Sequence, residues 1–100
     1  MSNHGNWTEK DEATINAIIV NMINQKRIFR DLGENSNLST SFKIQNSKEY
    51  VLGIFTGIVI NLFANYWISE HQSGLSSGDL DYLYHKISIS HKMISEGLFE

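Results

Sequence analysis

The chain has 100 residues, a net charge of −3, 41% hydrophobic and 19% charged residues, and neither cysteine nor proline. That size allows one domain at most, and the balance excludes a strongly disordered chain or a basic nucleic-acid binder. Without cysteine there is no disulfide, thiolate metal site or thiol nucleophile, and without proline no segment is barred from helix on that ground.

The polar stretch Met1–Asp11 has no apolar core, so a cleavable signal peptide is not expected. A long amphipathic helix is predicted from Glu9 to Leu32. Thr8 is its N-cap, and Glu9, Asp11 and Glu12 place negative charge in the first turn, where the helix dipole favours it. Ile15, Ile18, Ile19, Met22, Ile23, Phe29 and Leu32 recur at threes and fours and form an apolar stripe. Lys26 interrupts the stripe and is expected to snorkel, and Gly33 suits the position just past the end. Residues 1–33 form this first segment. Residues 34–48 read as a polar linker, because Asn and Ser compete locally for backbone hydrogen bonds; Phe42 and Ile44 are candidates for a short strand.

The third segment, 49–70, contains twenty uncharged residues from Tyr50 to Ser69. As a helix they span about 30 Å, the thickness of a bilayer's hydrocarbon core. Tyr50 at one end and Tyr66 and Trp67 at the other resemble an interfacial aromatic belt. Gly53 and Gly57 sit in mid-helix, tolerated in a span and costly by roughly 1 kcal/mol each in a soluble helix. Asn61 and Asn65 argue the other way, since an unpartnered amide is costly in hydrocarbon.

Gly53, Gly57, Asn61 and Asn65 fall at steps of four and so lie along one stripe. Small residues let another helix approach, and Asn amides then bond across the contact. These four are the predicted helix–helix interface. Arg30, Lys43 and Lys48 precede the segment and only Lys86 follows closely, which places the N-terminus on the cytoplasmic side. On that topology the acceptor patterns Asn6-Trp7-Thr8 and Asn37-Leu38-Ser39 are not glycosylated.

Residues 71–100 begin with a Ser/Gly turn, Gln72 to Gly78, followed by a second amphipathic helix from about Asp79 to Ser95, capped by Ser76 or Ser77 and ended by Gly97. Leu80, Leu83, Ile87 and Ile94 form its stripe, with Ser90 the weak position. Each flanking stripe needs cover, from the membrane surface, a second copy or another protein.

Among His4, His71, His85 and His91 no pair is spaced i, i+4. Asp81 and His85 have that spacing and read as a surface charge pair. No nucleophile turn or phosphate-binding loop is present. Trp7-Thr8-Glu9-Lys10-Asp11-Glu12 resembles the start of a Myb/SANT-type helical repeat over six residues. The only other tryptophan is Trp67, so the regular spacing of such repeats is missing and nothing follows from the resemblance.

The expectation is therefore an all-α chain with a single transmembrane helix flanked by two amphipathic helices. It would be a small accessory or interaction subunit, contacting membrane lipid and another transmembrane helix. No catalytic residue, cofactor, metal or nucleic acid is expected. The alternative is a soluble all-α binding or regulatory module, possibly dimeric, with residues 50–69 as its core helix.

Overall fold

The computed structural model describes residues 6–100, in which six helices form three rods. The first rod is α1 (Glu9–Ile23) followed by α2 (Lys26–Glu34); a short α3 (Ser36–Ser41) leads to the second, α4 (Ser47–His71). The third is α5 (Ser77–Ile89) followed by α6 (His91–Phe99). Asp11 meets Tyr66 and His71, while Phe29 meets Phe55, so α4 runs antiparallel to the first rod. Tyr82 bonds Glu12, and Arg30 bonds the carbonyl of Leu98, so the third rod runs parallel to the first. The chain goes up, down and up again.

The caps form as their residues dictate. Thr8 accepts a bond from the Asp11 N–H at 3.1 Å, and Asp11 accepts one from the Thr8 N–H at 2.9 Å; Ser76 and Asp79 repeat this reciprocal arrangement at α5. Asn46 caps α4 through the Glu49 N–H. Gln72 ends α4 in the left-handed conformation, φ 60°, and its side-chain amide bonds the Ser69 carbonyl.

Both long amphipathic helices expected from the sequence are broken, for the same reason. Four residues after Met22 the first stripe would place Lys26 in the core. The helix instead breaks at Asn24 and Gln25; Lys26 just past the break is exposed and Phe29 is buried. Lys26 therefore does not snorkel over an unbroken helix. In the third rod Leu83 and Ile87 would be followed by Ser90 or His91. The helix breaks at Ser90, and Ile94 and Leu98 beyond it are buried. The segment expected to be linker contains α3, and Phe42 and Ile44 make no strand.

Neither glycine expected past a helix end is there. Gly33 lies inside α2 and Gly97 inside α6. A Cβ on Gly33 would stand 2.7 Å from Cγ2 of Val51, and one on Gly97 2.5 Å from Cγ2 of Ile23. Each glycine is a point where a neighbouring rod comes close. Gly97→Ala should therefore lower the urea midpoint: overpacking costs about 1–3 kcal/mol, more than the roughly 1 kcal/mol that alanine returns in helix propensity. A higher midpoint would mean that the rods are not in this contact.

One side of α4 supplies the centre of the core. Val51, Phe55, Val59, Phe63 and Trp67, again at steps of four, are buried against Ile15, Ile19, Met22 and Phe29 of the first rod and Leu83, Ile87, Ile94 and Leu98 of the third. Trp67 is thus a core residue rather than part of an exposed aromatic belt. Trp7 closes this end, stacked on Phe63 at 4.9 Å and edge-on to Tyr82 at 4.7 Å.

Candidate functional site

With that stripe turned inward, the opposite side of α4 faces out. Gly53, Gly57, Asn61 and Asn65 are all exposed, so the structure brings the four expected interface residues together on one outer surface. Elsewhere on α4, Phe55, Val59 and Phe63 are core, while Leu62 is 42% exposed at the border of the outer surface. Ile58 and Ile68 are exposed there too, at 37% and 52%. No Lys, Arg, Asp or Glu occurs between Tyr50 and Ser69, so the whole surface is uncharged. Nothing lies within 4 Å of where a Cβ would stand on Gly53 or Gly57.

By length and composition α4 is long and apolar enough to cross a membrane, and 28% of its most apolar stretch is buried within the fold. A helix with one packed face and one bare uncharged face leaves a large apolar strip in contact with whatever surrounds it.

A second feature was not visible in the sequence. The buried Asp11 carboxylate accepts a bond from the Tyr66 hydroxyl at 2.6 Å and lies 2.9 Å from Nε2 of His71. Burial alone would raise its pKa, but the bonds from Thr8, Tyr66 and His71 outweigh that and hold the carboxyl below its ordinary value. Burial and the Asp11 carboxylate push the Tyr66 hydroxyl up to about 12. Glu12 accepts from Tyr82 at 2.8 Å and pairs with Lys86 at 3.0 Å; burial and this carboxylate raise Tyr82. Lys10 pairs with Glu70 at 2.8 Å on the surface. The acidic first turn of α1 is thus the hub that ties the first rod to the other two. The only local signal for it was the Thr8–Asp11 cap; Tyr66 and His71 lie more than fifty residues away.

Beside this hub an open cleft of about 600 Å³ is lined by Asn6, Thr8, Trp67, His71, Ser73, Gly74, Ser76 and Asp79. Two helix N-termini meet there, but Asp11 and Asp79 already occupy them. His71 lies flat on Trp67, ring centres 3.8 Å apart. Among the described residues no three His, Asp or Glu converge as a metal site. His85 and His91 are exposed, and His4 lies outside the described residues. The hub ties the first rod to the other two at this end of the fold.

No family model matches the chain, and neither the curated proteins nor the solved structures contain a match.

Proposed function

We propose that this chain is a non-catalytic, all-helical interaction protein that works in water and docks an uncharged helix of another polypeptide along the outer face of α4. The bare uncharged strip around Gly53, Gly57, Asn61 and Asn65 carries this reading. The opposite face already has its full complement of large apolar neighbours, so only the outer face needs a partner. Small residues there allow two helix backbones to approach, and the amides supply bonds across the contact. No catalytic residue, cofactor or metal enters this reading.

A second reading is the single-pass accessory subunit, with α4 in a bilayer and the N-terminus cytoplasmic. The length and hydropathy of α4 favour it. The burial of Trp67 and the two charged rods packed along α4 favour the first. In a bilayer Glu12, Lys26, Arg30 and Lys86 would have to be accommodated beside the span, each at a cost of several kcal/mol if it reached the hydrocarbon centre.

The test is fractionation of the full chain, followed by native sizing of the soluble part. The expected result is recovery in detergent-free lysate within a complex larger than 11.4 kDa. Gly57→Ile should weaken that complex by about tenfold or more, roughly 1.4 kcal/mol, by holding the helices apart, while Lys92→Ala leaves it unchanged. Retention in carbonate-washed membranes would transfer the case to the second reading.

A further inference from the structure

The chain sets four glycines inside helices where their surroundings are defined, and they divide into two kinds. Gly33 and Gly97 are explained within the fold, since a Cβ at either would run into a side chain of a neighbouring rod. Gly53 and Gly57 carry the same roughly 1 kcal/mol helix penalty and meet nothing. At Gly33 and Gly97 the helix that the glycine admits is visible within the fold. At Gly53 and Gly57 the matching contact has to come from outside.

The order of residues along the stripe says what kind of helix fits. Gly53 and Gly57 occupy its first half, and Asn61 and Asn65 its second half at the same spacing. The stripe has a midpoint, at Val59 in chain order. A two-fold axis through that level lays a second α4 antiparallel to the first. Gly53 then faces Asn65 of the second copy, and Gly57 faces its Asn61. Each amide, larger and able both to donate and to accept, enters the space left by a glycine and reaches the backbone there. The pairing is self-complementary, as a two-fold interface requires. The antiparallel arrangement also sets the positive end of each helix dipole beside the negative end of the other. A parallel pair would instead oppose amide to amide and leave the glycine half empty.

α4 has 25 residues and is about 37 Å long. A specific, stable pair removes about 1,200 Å² or more in all, which calls on most of the outer face of both copies. With no charge between Tyr50 and Ser69, no like-charge repulsion opposes two identical faces.

We infer that the occupant of the outer face is a second copy of this chain, joined antiparallel across α4 with Gly53 against Asn65 and Gly57 against Asn61. This rests on the docking reading above and names its partner.

The chain has no cysteine, so introduced thiols report without background. Full-length Gly53→Cys and Asn65→Cys are purified separately and oxidised alone and as a mixture. Both positions are exposed, and neither substitution disturbs the core. The expected native mass is twice 11.4 kDa. Disulfide-linked dimer should form in the mixture and not in either variant alone. Bridging requires Cα atoms within about 7 Å. In the antiparallel pair the two Gly53 positions stand twelve residues, about 18 Å, apart along the axis. Linkage within Gly53→Cys alone would mean parallel packing and overturn the register. A monomer that forms no disulfide in any sample would overturn the second copy as occupant, leaving the Gly57→Ile result to judge the docking reading separately. Membrane retention of the full chain would overturn both.

Discussion

Phe63→Ala should remove about 3–5 kcal/mol of stability, the usual cost of truncating a buried phenylalanine. Small domains have roughly 5–15 kcal/mol in all, so the variant would be close to unfolding. Phe63 has no exposed surface. Its ring is stacked on Trp7 and lies 5.9 Å from Trp67 and 5.4 Å from Tyr66. Trp7 makes the loss worse, because its indole Nε1 has no hydrogen-bond partner among the described residues and packing alone holds it. A urea titration should show the midpoint fall by about 2 M. Leu62→Ala, one residue away, should cost under about 1 kcal/mol, since that side chain is 42% exposed. The pair reads the rotation of α4 directly: equal losses at the two positions would mean that a different face of the helix is buried.

Asp11→Ala should cost about 3 kcal/mol or more. It strands the Tyr66 hydroxyl, His71 and the Thr8 N–H together, and it removes an N-terminal cap. The pH dependence follows from the directions of the shifts. The folded-state pKa of Asp11 lies below 3.8, so its contribution is complete above that value and is lost as pH falls through the folded pKa. Tyr66 behaves oppositely. Its hydroxyl, raised from 10.0 to about 12, contributes fully below pH 10 and loses that contribution as pH rises toward 12. Urea midpoints across pH should therefore fall at both extremes in the native chain. Asp11→Asn should flatten the acid side and Tyr66→Phe the alkaline side. An acid limb unchanged by Asp11→Asn would show that other carboxylates control it.

The features legible in the sequence were those decided within one turn of helix. Thr8 and Ser76 cap because a side-chain oxygen needs only an N–H three residues on. Ile15, Ile19 and Met22 announce a buried stripe because their spacing matches the helical repeat. What neighbours decide was not legible. Gly33 and Gly97 looked like helix ends, since a glycine before a polar stretch and one lodged against a neighbouring rod have the same letter. Trp67 looked interfacial because its place in a core depends on Trp7 and Phe63. Along α4 two stripes share the step of four, Val51 to Trp67 and Gly53 to Asn65. Periodicity recovers both but cannot say which one turns inward. Spacing alone puts Gly53, Gly57, Asn61 and Asn65 on one stripe, and in the fold each of the four is exposed. The hub at Asp11 was hidden because its partners come from the far end of another rod.

Three is an odd number of rods. An even bundle returns the chain to its starting pole, and in many domains the two ends lie near each other. Here Trp7 and Leu98 sit at opposite poles of a fold 44 Å long. Cargo fused before the first rod and cargo fused after the third would be held apart, with the protein between them acting as a rigid strut.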